Sequence, residues 1–186
     1  MPLSLSRDIA SLYDEFEERQ VVLLDQEQDA IPFDRIRCPD LVAIGRAWQD
    51  MPRETGEALP RWSCFRPFEF KSSIEKMCVI AVEDWQADAL EFSLYGNHPT
   101  EFVGLGRPLS LQRLCRDARR RGYYEDIRQR VGRAITNDAP QYARKTLSWN
   151  DRGFVQYEVL MLPFLRNGKV QRVLQPVSAK VEMTEK

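Results

Sequence analysis

Apolar residues recur in this chain at two periods, and the change from one to the other divides it. Over residues 6–29, "SRDIASLYDEFEERQVVLLDQEQD", Ile9, Leu12, Phe16 and Leu23 fall at helical spacings and Ser6 stands where an N-cap would. The spacing predicts an amphipathic helix. Its outer face is acidic, because Asp8, Asp14, Glu15, Glu17, Glu18, Asp25, Glu27 and Asp29 are offset locally only by Arg7 and Arg19, so the helix needs a surface to cover its apolar stripe. After the break "IPFDRIRCP", Leu41, Ile44 and Trp48 predict a second helix over 39–50, followed by the loop "MPRETGEALPR".

From Met77 the texture is that of strands. "MCVIAVE" and "ALEFSLYG" read as an antiparallel pair split by "DWQAD". The stretch "NHPTEFVGLGRPLSLQRLCRDARRRGYYEDIRQRVGRAITNDAP" then reads as helical, with Tyr124, Ile127, Val131 and Ile135 three or four apart and an end near Asn137 and Pro140. Strands return in "QYARKTLSW", "GFVQYEVLMLPFL" and "KVQRVLQPVSA", joined by "NDRG" and by "RNGK", whose Asn-Gly is a strong hairpin signal. The expected organisation is an N-terminal amphipathic helical extension over 1–38, a domain over 39–179 and a disordered tail over 180–186. The order of elements predicts an α+β domain: a five-stranded antiparallel sheet with helices on one face.

That order, and the blocks "LPRWSCFRPFEF...IEKMCVIAVE", "LEFSLYGNHPTEFVGLG" and "VQYEVLMLPFLRNGKVQRVL", resemble a PAS-like family of single-domain sensors abundant in alphaproteobacteria. The family carries a "P-x-R-x-D-F-x-P" block before its first strand, an "F-x-x-x-x-x-G" strand leading into its first helix and a "Y-E-x-L-x-L-P" strand before a short polar turn. The match spans about residues 40–178, and Cys64 stands where the family has an acidic residue. The resemblance implies a PAS-like fold in which the segment before the first strand wraps the sheet edge. Pro60 and Pro67 would fix its path, and Trp62, Phe65, Phe68 and Phe70 would anchor it. The alternative use for these aromatics is to roof a ligand pocket.

Charge and cysteine usage narrow the partners. Lys and Arg number 27 against 28 Asp and Glu, a net charge of −1, so no global field draws nucleic acid or an anionic membrane. Four scattered cysteines without a C-x-x-C pair and a single histidine predict neither a zinc site nor a disulfide framework. The acidic N-terminus and the lack of any long apolar run predict a soluble cytoplasmic protein with no membrane partner.

Candidate chemistry is sparse. His98, in "YGNHPTEF", is the one residue that could ligate haem, but Pro99 follows it and a turn histidine is the expectation. Cys115, in "LQRLCRDARR", could form a flavin adduct or act as a redox thiol, yet the "N-C-R-F-L-Q" block of flavin light sensors is absent; Cys78 reads as a small buried hydrophobe. No phosphate loop, activated nucleophile or carboxylate pair is recognisable, so no enzyme and no particular cofactor is expected. A basic stretch, Arg113, Arg116, Arg119, Arg120, Arg121, Arg128 and Arg130, could hold an anion or a partner, or complement the acidic face of the N-terminal segment within one chain or across a dimer. Strand alternation nominates Val79, Ala81, Phe92, Leu94, Val159, Met161 and Val173 as the lining of a small-molecule pocket.

The expectation is a non-catalytic PAS-type sensory module. It would act through a small ligand, a protein partner or dimerisation by its N-terminal helix. The alternative is a nucleotide- or nucleic-acid-binding regulator using the stretch from Arg113 to Arg133.

Overall fold

The computed structural model of the chain describes residues 26–84, 89–96, 121–150 and 153–182. Its elements, in chain order, are β1 (Gln26–Gln28), α1 (Pro39–Asp50), two 3-10 segments (Trp62–Cys64 and Pro67–Lys76), β2 (Met77–Asp84), β3 (Ala89–Tyr95), α2 (Arg121–Thr136), β4 (Gln141–Asn150), β5 (Gly153–Arg166) and β6 (Lys169–Glu182). The strands form one antiparallel sheet in the order β1-β4-β5-β6-β2-β3. The α+β class therefore stands, with six strands in place of the expected five.

The extra strand is β1. Its Gln26, Glu27 and Gln28 pair with Arg144, Ala143 and Tyr142 on the edge of β4, so the helix expected over 6–29 does not extend across these residues. Three polar residues carry no strand period of their own; pairing with an open edge makes them a strand. At the other end β6 runs to Glu182, which opposes Phe154, so the residues just past 179 continue the ladder instead of forming a tail.

Helices cover both faces, not one. On one face α2 sets Ile127, Val131 and Ala134 against Ile80, Val82, Ala143, Tyr157, Val159, Met161, Val173 and Val177. On the other, Leu41, Ile44 and Trp48 of α1 join Leu59 and Phe65 over Met77, Val79, Tyr142, Leu160, Leu162, Phe164 and Leu174. Burying each of these α1 side chains contributes about 1.5–3 kcal/mol, which makes the second layer a main source of stability. Two polar contacts fix where α1 lies: the Trp48 indole donates to the Pro163 carbonyl at 3.1 Å, and Lys76 pairs with Asp40 in the first turn.

The proline- and aromatic-rich segment does wrap a strand edge. β5 outruns β4, whose ladder with it ends at Gln141 opposite Met161, and the edge of β5 left unpaired by β4 beyond that point is bridged by Arg61 at Leu165. The Leu165 amide donates to the Pro60 carbonyl at 2.9 Å. Trp62, Phe65 and Phe164 cluster with ring centroids 5.2–5.7 Å apart, and Phe70 stacks on Phe65 at 6.0 Å. Phe68 breaks the expectation. It is 76% exposed and anchors nothing in the core.

Two backbone features set the strand ends. Asn167 (φ 55°) and Gly168 (φ 73°) both take positive φ, as a two-residue hairpin turn requires. Gly96, just after β3, donates its amide to the Met77 carbonyl at 2.9 Å and lies so close to the chain entering β2 that an added Cβ would collide with the Glu75 carbonyl and sit 2.8 Å from that of Met77. Gly96→Ala is therefore expected to cost more than about 3 kcal/mol, read as a fall in the urea unfolding midpoint. A wild-type midpoint would show that the 3-10 segment can move aside.

Candidate functional site

Strand pairing decides which side chains share a surface, since residues directly opposite one another point to the same face. Phe92 opposes Ile80, Val159 opposes Ala143 and Val177, Met161 opposes Gln141, and Val173 opposes Ile80, so these four lie together beneath α2. Val79 opposes Leu94 and Leu174 and belongs to the α1 face, and Ala81 follows it in the alternation. The seven residues nominated as one lining are thus divided by the sheet. A one-residue error of parity in β2 and in the second half of β3 produced the mixture, and Leu94 is 37% exposed.

The α2 face also carries polar residues that the nomination missed. Gln141 and Gln175 are each 2% exposed, and Gln175 lies opposite Cys78 on the neighbouring strand. The constant register between β5 and β6 sets Met161 between the two glutamines. Gln141 Nε2 and Gln175 Oε1 have no hydrogen-bond partner. A buried polar atom in that condition costs about 1–3 kcal/mol, so this donor and acceptor are polar groups of the layer with hydrogen-bonding capacity to spare. The signal was present in sequence as polar residues on the inward phase of "QYA" and "VLQPV". Cys78 beside them is chemically quiet, because burial pushes its thiol up to about 12 despite the hydrogen bond from Gly96.

Next along α2 is a charged cluster. Arg130, 2% exposed, donates from Nη2 to the Tyr157 hydroxyl at 3.0 Å, pairs with Asp126 one turn away, and holds its guanidinium 5.7 Å from the Tyr157 ring centroid. The Tyr157 hydroxyl in turn donates to Asp126 Oδ2 at 2.6 Å. Lys145 of β4 pairs with Asp126 and, at 3.0 Å, with Glu27 of β1, while Arg133 reaches Glu27 at 2.6 Å and Asp29 at 2.7 Å. The cluster ties β1 to α2 and β4. Arg130 is accordingly no member of a surface patch; it occupies the same helical stripe as Ile127, Val131 and Ala134, which marked it in the sequence as an arginine at an apolar phase. Arg121 opens α2 and Arg128 is half-buried, while Arg113, Arg116, Arg119, Arg120, His98 and Cys115 lie outside the described residues, as does the N-terminal helix expected before residue 26.

Among the described residues, the opposite face has one buried carboxylate. Glu158 accepts the backbone amides of Arg37 and Cys38, each at 3.1 Å, and the Tyr142 hydroxyl at 3.1 Å. Cys38 is the N-cap residue of α1, so the carboxylate meets the positive end of that helix. Burial, reinforced by Glu158, pushes the Tyr142 phenol up to about 12.

Among the described residues no group of three or more His, Cys, Asp and Glu is placed to hold a metal ion, and no helix is long and apolar enough to cross a membrane. Comparison with protein-family models, with curated proteins and with solved structures finds no match for this chain in any of the three.

The ion pairs at β1 have a testable pH dependence. Burial works to raise the pKa of Glu27, but the hydrogen bond and charge of Lys145, with Arg130 and Arg133, hold it below the usual 4.5. Its contribution is therefore complete above that value and is lost as pH falls through the lowered one. Amide protection over residues 26–28, corrected for intrinsic exchange, should hold near neutral pH and fade below 4.5 while that of β5 persists. Glu27→Gln should weaken the protection at neutral pH and remove much of its pH response; β1 protection that falls only together with β5 would show that no separate opening exists.

Proposed function

We propose that this chain is a non-catalytic regulatory module of PAS type that holds a small polar molecule against the α2 face of its sheet. The observation that carries this reading is the unpaired amide donor of Gln141 and the unpaired amide acceptor of Gln175 on either side of Met161. Phe92, Val159 and Val173 supply apolar surface in the same layer. Further support comes from the strand arrangement, in which a first hairpin, β2–β3, docks through β2 on the last strand of a β4–β5–β6 meander. The buried charges are paired, Asp126 with Arg130, Lys145 and Tyr157, and Glu158 with the start of α1, although Nε and Nη1 of Arg130 make no hydrogen bond.

The response would leave through β1. Only three residues long, β1 is fastened by side-chain charges that α2 carries, so a ligand that shifts α2 against the sheet changes how firmly the preceding segment is held. That segment would then be offered to a partner protein or to a second copy. The basic stretch gives the nucleic-acid reading no comparable support, since Arg130 is buried and Arg133 is taken up by Glu27 and Asp29.

The test is native mass and an absorption spectrum of the purified full chain, with Gln141→Leu and Gln175→Leu beside the wild type. A reproducible non-covalent mass increment that both variants retain less well is expected. Stripped of ligand, each variant should be more stable than wild type by about 1 kcal/mol, because an unpaired polar atom is gone. Wild type at the bare polypeptide mass would overturn the reading, as would an increment that both variants keep unchanged.

A further inference from the structure

A second site lies where the sheet splits. The ladder between β2 and β6 runs from Met77 opposite Pro176 to Ala81 opposite Arg172 and ends there, although β2 continues to Asp84 and β6 begins at Lys169. Each strand keeps its outer neighbour past that point: Val82 opposes Leu90 on β3, and Val170 opposes Leu165 on β5. The inner edges of the two strands part. Gln171 adds to the divergence, since it is the residue skipped in the β5–β6 register between the pairs Phe164–Arg172 and Leu165–Val170.

The parting strands open onto a cleft of 580 Å³, within the range of about 300–1,000 Å³ typical of ligand sites. Its walls draw on both layers of the fold, with Val82 and Ile135 from the α2 side and Leu59 and Leu165 from the α1 side. Backbone amides and carbonyls on facing strand edges that do not pair with each other are ready partners for an inserted extended chain.

Charge selects the chain. Glu83 and Asp138 stand on the rim, both exposed and without an ion pair or side-chain hydrogen bond among the described residues. Asp138 lies just past the last turn of α2, whose negative end favours a cation. Glu57 also lines the cleft, but it is paired with Arg61, and Lys169 contributes one opposing charge from the start of β6. The free anionic groups are therefore on the β2 and α2 side.

We propose that this split is a docking slot for an extended basic peptide segment of a partner protein, with its backbone bonding to the parted edges of β2 and β6 and its cations meeting Glu83 and Asp138. The slot is built from residues other than Gln141 and Gln175, so it does not depend on the ligand reading above. Successive peptide side chains would face opposite layers, one set meeting Val82 and Ile135 and the other Leu59 and Leu165.

Fluorescence polarisation with the full chain tests it, using labelled Lys-Val-Lys-Val-Lys, its Glu-Val-Glu-Val-Glu counterpart and a version of the basic peptide N-methylated at alternate amides. The basic peptide should bind at least about tenfold more tightly than the acidic one, and N-methylation should cost about tenfold or more. Glu83→Gln and Asp138→Asn should each weaken the basic peptide about threefold to tenfold without changing the unfolding midpoint, Asn being well suited to the positive φ of residue 138 (46°). Equal binding of the acidic and basic peptides, or an unchanged affinity in both variants, would overturn the proposal. Equal binding of the N-methylated peptide would reduce the site to a surface cation contact and overturn the slot; no binding of any peptide would do the same.

Discussion

The arrangement of every other element follows from a sheet centre that is buried on both sides. All residues from Tyr157 to Phe164 on β5, from Val173 to Val177 on β6 and from Met77 to Val82 on β2 are buried. Strands of that kind cannot leave one face to water, so each face requires its own covering layer. The chain provides α2 for one face. For the other it uses α1, the 3-10 segments and the aromatic clamp, all drawn from the residues that precede β2.

Each layer is fastened by a charged group placed where a side chain of the sheet meets a helix. Glu158 binds the start of α1 through two backbone amides, and Tyr157, the adjacent residue of the same strand, binds Asp126 and Arg130 of α2 from the opposite face. Adjacent strand positions thus serve opposite layers. Glu158 meets only backbone amides at the start of α1, whereas the α2 fastening continues outward through Lys145 and Arg133 to β1. That asymmetry joins α2, and not α1, to the sheet edge through ion pairs.

Much of this was legible in sequence. The bounds of α1 and the starts of β2, β3, β4, β5 and β6 follow from residue period and turn chemistry, with the Asn167–Gly168 turn as the firmest marker. The second covering layer was legible in principle, because "VLMLPF" is a continuous apolar run and not an alternating one, which is the mark of two-sided burial. β1 was not: three polar residues become a strand only because an edge and the cations Arg130, Arg133 and Lys145 await Glu27. The nominated lining was half legible. Phe92, Val159, Met161 and Val173 share a face as strand period allows, whereas Val79, Ala81 and Leu94 depend on a register that a bulge between Val79 and Ile80 shifts by one.

The position of β2 between β6 and β3 has a consequence for the order of folding. The β5–β6 hairpin closes across a two-residue turn, and β2–β3 is equally local, but β2 and β6 are joined only after a loop from Ala81 to Arg172 has closed. On the ribosome, β2 and β3 emerge long before β6 does. Until it arrives, "MCVIAVE" presents an apolar strand with one open edge, the form most prone to pair with a neighbouring chain. The nascent protein therefore carries this open edge from the completion of β3 at Tyr95 until Arg172–Pro176 of β6 have been made, the interval in which its exposure to misassembly is greatest.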